Sequence, residues 1–197
     1  MMVTAKRVVW VLSVVNIALL VAQLFWAWLY GRDIALLLAC ASGDYGLFDI
    51  ALAVGANPNA RTANGTTALM LSAGSREFLM TRDLLKRGVD VNIRNSEGET
   101  ALFKAVSAGD SGTVKLLLDY GADPNVPETG FGVTPLMIAA RDGRVRIVKL
   151  LLDHGADPTI KDTRGFTVLQ FVHPEKGEEQ AKIAALIKQK LSTMGNR

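Results

Sequence analysis

Few residues of this 197-residue chain have the chemistry of a nucleophile, a metal ligand or an acid–base pair. The single cysteine, Cys40, allows no intrachain disulfide. It occupies a slot filled elsewhere by Ala140, which reads as a buried structural thiol rather than a nucleophile. His154 and His173 are the two histidines, and neither has a second ligand at metal-site spacing. Asp110, Asp142, Glu97 and Glu99 are carboxylates on loops, more often solvated than catalytic. No Gly-rich phosphate loop, G-x-S-x-G or H-E-x-x-H occurs. The formal charge is +3, and setting Lys6 and Arg7 aside leaves 20 basic against 19 acidic residues. That balance gives no electrostatic footprint for nucleic acid. The expectation is a non-enzyme with no catalytic residue, metal, cofactor or small-molecule substrate. What remains is the chemistry of recognition. Phe131 and Phe166, with Val133 between them and Arg141 and Arg164 nearby, are mostly of the types that dominate protein interfaces.

Those residues are positioned by a repeat. LLLDYGADPN from Leu116 returns as LLLDHGADPT from Leu150, and ALAVGANPN and LLKRGVDVN are looser copies. The glycines Gly55, Gly88, Gly121 and Gly155 are 33, 33 and 34 residues apart. A second phrase keeps the beat: GTTALMLSA, GETALFKAV, GVTPLMIAA and GFTVLQFVH. A fixed period near 33 signals stacked units, none of which can bury its apolar face alone. Within one unit, Thr134 is a helix N-cap and Pro135 suits the first helical position. Leu136, Ile138, Ala139 and Ala140 give a short inner helix a narrow apolar side, and Gly143 ends it. Val145, Ile147, Val148 and the leucines 150 to 152 form a longer outer helix. Gly155 closes that helix and Asp157-Pro158 opens a turn. The polar stretch TIKDTRG is a hairpin-like finger leading to the next unit.

T-P-L at the inner helix, L-L-L at the outer helix and G-A-D-P-N after it resemble ankyrin repeats. The resemblance runs from about residue 33 to the C-terminus, with four copies and a degenerate cap. It implies an all-α repeat fold, an α-solenoid, with units at about 33–64, 65–97, 98–131 and 132–164 and a cap at 165–197. It also implies protein recognition through the finger tips and the concave face. Three departures stand out. The histidine usual after T-P-L is replaced by Met70, Phe103, Met137 and Gln170. Arg76 stands where other units have Gly43, Gly109 and Gly143, which predicts an irregular second unit. The third finger, NVPETGFG, is one residue longer than its neighbours. The register places Asn64, Thr66, Glu97, Glu99, Phe131, Val133, Arg164 and Phe166 on fingers. It places Ser75, Ser107, Arg141 and Asp142 where inner helices open to the concave side. None of these is expected to fill the core. Phe131, Val133 and Phe166 would form an exposed apolar strip, or the two rings would fold back onto neighbouring fingers.

Residues 8–30 precede the array and carry no charge over 23 positions. As a helix this segment spans roughly 35 Å, enough to cross a hydrocarbon core of about 30 Å. Trp10 near one end and Trp26, Trp28 and Tyr30 at the other suit the two interfaces. The segment is longer than a cleaved signal peptide's apolar region and lacks a small-residue cleavage site. Residues 8–30 are therefore expected to be a single-pass transmembrane signal anchor in contact with the lipid bilayer. Lys6 and Arg7 place the tail, residues 1–7, in the cytoplasm and residues 31–197 outside it. In a bacterium that means an inner-membrane protein with a periplasmic array; a lumenal domain in a eukaryote is the alternative. Ser13, Asn16 and Gln23 share one face of the span, either docking another helix or simply tolerated. Two functions follow. One is a tethered module that captures a protein, as an immunity protein, inhibitor or envelope adaptor. The other is a structural subunit that assembles a membrane complex through both helix and repeats.

Overall fold

In the computed structural model, residues 21–23, 25 and 31–195 are described. The expected transmembrane segment lies outside them apart from 21–23 and 25, and so do Ser13 and Asn16. Among the described residues, no helix is long and apolar enough to cross a membrane. The array is an all-helical repeat. Inner helices α1 (Arg32–Ser42), α3 (Ala68–Gly74), α5 (Ala101–Ala108) and α7 (Pro135–Arg141) alternate with outer helices. The outer ones are α2 (Tyr45–Ala53), α4 (Phe78–Lys86), α6 (Ser111–Asp119) and α8 (Val145–Asp153). Two short 3-10 turns, Val168–Phe171 and Pro174–Lys176, lead into α9, Glu178–Gly195. The only β-bridge among the described residues joins Arg61 to Thr67.

Local chemistry sets each boundary. Thr67, Thr100 and Thr134 cap α3, α5 and α7, their hydroxyls accepting the amides of Met70 (3.2 Å), Phe103 (3.2 Å) and Met137 (3.4 Å). Asp44 and Asp110 do the same for α2 and α6, which makes Asp110 a structural cap. Leu36, Leu69, Leu102 and Leu136 stack as a fully buried column through the inner helices, and Leu84, Leu117 and Leu151 run parallel to it in the outer ones. Each buried leucine contributes about 1.5–3 kcal/mol relative to exposure. The core extends from Ala35 to Ile187, so the array carries its own core within residues 31–195. Met70, Phe103 and Met137 are buried in that core at the site of the usual histidine. Gln170 instead completes a capping box, accepting from the amide and hydroxyl of Thr167 at 2.8 Å.

Side chains also link units. The Asn92 amide donates to the Gly121 carbonyl at 3.1 Å and accepts from the Asp123 amide at 2.8 Å. Asn125 repeats the pattern with Gly155 (3.1 Å) and Asp157 (2.7 Å). Thr159, next in the series, turns its hydroxyl to its own Asp157. At the front, Asp33 accepts the Asn57 amide at 2.8 Å. The second unit is irregular, as Arg76 implied. Arg76 is the one non-glycine among the described residues with positive φ (64°). That conformation costs about 1–2 kcal/mol in an L-residue. Its guanidinium offsets the strain by donating to the Ala108 carbonyl, at 2.9 Å through Nε.

Candidate interaction surface

Each finger hangs from one oxygen-bearing side chain, at positions 33, 33 and 34 residues apart: Thr62, Asn95, Glu128 and Asp162. The Thr62 hydroxyl accepts the Thr66 amide at 3.1 Å. Asn95 Oδ1 accepts the amides of Glu97 (3.0 Å) and Glu99 (2.9 Å). Glu128 accepts those of Gly130 (2.5 Å), Phe131 (2.6 Å) and Val133 (3.1 Å). The third finger has an extra residue, and the extra methylene of glutamate reaches across it. Asp162 Oδ1 takes the amides of Arg164 and Phe166, both at 2.9 Å, while Oδ2 takes the Arg164 guanidinium at 2.7 and 2.9 Å. Burial opposes ionisation of Glu128 and Asp162, but the amide donors, joined at Asp162 by the Arg164 guanidinium, outweigh it and hold both carboxyls below their ordinary range.

The tips are latched backbone to backbone. Ser96, Thr129 and Thr163 amides donate to the carbonyls of Asn64, Glu97 and Phe131, each at 2.8 Å. The latches leave the Asn64, Glu97, Phe131 and Arg164 side chains exposed. Phe131 is 65% accessible and Phe166 43%. Arg164 lies between the rings, its guanidinium carbon 4.9 Å from the Phe166 centroid, 5.6 Å from Phe171 and 5.8 Å from Phe131. The two predicted rings therefore share one arginine, which braces them without covering them. Val133 departs from the expected strip: it is 8% exposed and joins the core cluster. Thr66 departs too, buried with its hydroxyl against Asn95 Nδ2 at 3.4 Å. Both occupy the position just before an inner-helix cap, where the chain turns inward.

Glu99, half-buried at that same position, accepts from Asn95 Nδ2 at 3.0 Å and pairs with Lys104. Burial works against its charge, yet the donors hold its carboxyl below the ordinary value. On the concave side Ser75 and Ser107 are exposed, and the Ser75 hydroxyl donates to the Ala41 carbonyl at 3.2 Å. Arg141 pairs with Asp142 at 3.0 Å, and Asp142 also with Arg144 at 3.1 Å. Glu97, Glu99, Phe131, Val133 and Arg141 converge on a groove of about 450 Å³, joined by Phe103, Glu128 and Ile138. Asn64, Thr66 and Ser75 lie outside it, towards the first two units. Sequence reasoning missed the anchors Thr62, Asn95, Glu128 and Asp162 and the third ring, Phe171. The regular spacing of the anchors was the available signal.

Elsewhere the reactive side chains are engaged. Cys40 is fully buried, and burial first, then the Glu77 charge, push its thiol up to about 12. The His154 ring lies 2.8 Å from the Leu150 carbonyl and 3.5 Å from Asp119, and His173 lies 3.3 Å from Glu175. Among the described residues no three His, Cys, Asp or Glu side chains form a group that could hold a metal.

No curated protein matches the chain. The family model for ankyrin repeats in three copies matches residues 36–128, 77–162 and 124–172, which together span most of the array. Ankyrin repeats are protein–protein interaction modules, and with helix pairs, latched fingers and family match in agreement, the chain belongs to the ankyrin-repeat family.

Proposed function

We propose that this protein is a membrane-anchored, extracytoplasmic module that captures a protein. In this reading residues 1–7 are cytoplasmic, residues 8–30 form a signal anchor in the inner membrane, and the array at residues 31–197 works in the periplasm. Capture would serve immunity or inhibition against an arriving effector, or adaptation of a resident envelope protein, without catalysis. The observation that carries the reading is the aromatic pair Phe131 and Phe166, held out on adjacent fingers around Arg164. Exposed rings and arginine at the centre of a patch often contribute 2 kcal/mol or more on truncation. The test is Phe131→Ser with Phe166→Ser, assayed for melting temperature and for co-purifying protein. The expected outcome is loss of the partner with a melting temperature lowered by only a few degrees, about 1 kcal/mol. A collapse in stability would mean the rings hold the fingers together instead. A reporter active only outside the cytoplasm, fused after Arg197, should be active; an active cytoplasmic reporter overturns the topology.

The second reading, a structural assembly subunit, is favoured by one observation. Ile34 and Leu38 lie one turn apart on α1, 50% and 49% exposed, at the end of the array that follows the uncharged segment. Together with the Ser13, Asn16 and Gln23 face they would dock a membrane subunit. A soluble fragment of residues 31–197 that still captures the partner favours the module; one that does not favours assembly.

A further inference from the structure

The two ends of the array differ in what they leave uncovered. Within it, Thr67, Thr100 and Thr134 are buried where the inner helices start, and Met80, Thr113 and Ile147 near the start of the outer ones. The first unit has no repeat before it, and its equivalent positions are open. Ile34 is 50% exposed and Leu38, one turn on, 49%. Leu47 and Leu52 on α2 are half-buried, whereas their counterparts Met80 and Leu85 are buried. The opposite end is finished with charge, for α9 exposes Glu179, Lys182 and Lys188. A terminal unit needs such a polar outer face to stay soluble on its own. The first unit has aliphatic side chains in its place. The charges nearest them in sequence are turned onto the array. The Arg32 guanidinium donates to the Val54 carbonyl at 3.0 Å, and Asp33 accepts the Asn57 amide at 2.8 Å. What adjoins this end is the uncharged segment 8–30, with Gly31 alone between Tyr30 and α1. Four residues of chain span at most about 14 Å, so Ile34 stays within that distance of Tyr30. The interfacial layer on each side of a bilayer is roughly 5–8 Å deep.

We propose that the open end of the array rests in the headgroup layer of the bilayer, with Ile34 and Leu38 inserted towards the acyl chains. The inference rests on residues 8–30 being a membrane anchor, and it gives this end to lipid rather than to another subunit. Gly31, at φ 82°, breaks the helical run into α1, so α1 can lie along the surface as interfacial amphipathic helices do. The finger row then stands at a fixed height above the membrane instead of swinging on a tether. The test uses the full-length chain with Cys40→Ala as a background free of cysteine. Ile34→Cys, Leu38→Cys or, at the far end, Gln189→Cys is labelled with a fluorophore and reconstituted in phosphatidylcholine vesicles. Doxyl-phosphatidylcholine quenches from within the lipid and iodide from the water. Expected is loss of emission to the lipid-borne quencher at the first two sites, and to iodide alone at the third. Iodide quenching at the first two sites overturns the proposal. So does protection there from both quenchers, which would mean that a second copy or another subunit covers this end. Flotation separates the two readings. A chain that does not float with the vesicles overturns the anchor and this proposal with it, whereas a floating chain with iodide-open labels overturns the proposal alone.

Discussion

The first two fingers and the last two share one architecture but hang from different kinds of anchor. Thr62 and Asn95 are neutral, bind one or two amides, and carry the small or polar tips Asn64 and Glu97. Glu128 and Asp162 are carboxylates that gather three amides, or two amides and a guanidinium. Their fingers are the ones that display Phe131, Arg164 and Phe166. An ionised carboxylate accepts more donors, and more strongly, than a hydroxyl or an amide. It can therefore fix a loop firmly enough to hold bulky rings away from the core. The gain is geometric, and it makes half of the finger row depend on ionisation.

The largest expected effect tests whether adjacent fingers are as close as described. Gly98 has φ 74°, and a Cβ there would lie 2.8 Å from the Thr129 backbone nitrogen. Gly165 has φ 83° and open space around it. Gly165→Ala should cost about 1–2 kcal/mol from backbone strain alone. Gly98→Ala should cost about 1–3 kcal/mol more from overpacking, measured by chemical denaturation. Equal costs would place the second and third fingers further apart than drawn.

Acid should separate the two halves next. The folded-state values of Glu128 and Asp162 are depressed, so their stabilisation is complete above the unfolded carboxylate range, near pH 4, and is lost as pH falls through the folded values. Amide protection at Phe131 should drop roughly tenfold in acid, and Phe166 should follow. Protection at Glu97 should hold, because its Asn95 anchor does not titrate. Uniform loss along the row would erase the distinction. Arg164→Lys is a finer cut. It keeps the charge but loses the planar stack on three rings, and should cost about 0.5–1 kcal/mol. Smallest of all, Glu97→Gln should change stability by less than about 0.5 kcal/mol, as expected of an exposed side chain not needed for folding.

The repeat, the caps and the core were open to sequence reading because they depend on spacing within one unit. Thr134 as a cap, Pro135 at the first turn and the leucine columns follow from helical period alone. Arg76 could be flagged because a left-handed position without glycine breaks the pattern. The surface was only partly legible. Phe131 and Phe166 could be placed on fingers, but the capture of both by Arg164 could not, since that contact joins units more than 30 positions apart. Val133 and Thr66 look like finger residues by register and are drawn inward by the turn into the next helix. The role of Glu128 was hidden for a related reason. A glutamate where its counterparts are threonine, asparagine and aspartate looks like drift until the extra residue it spans is seen in three dimensions.

The asparagine bridges have a consequence for how such a chain can lengthen. Asn92 and Asn125 each reach the turn of the following unit, and Thr159 does not. A duplicate of residues 98–131 inserted in tandem would inherit an asparagine at both new junctions. A unit appended behind residue 164 would meet a threonine already bonded to its own aspartate. Internal duplication would thus carry the bridge into each new junction, whereas a junction behind Thr159 would have to hold by helix packing alone.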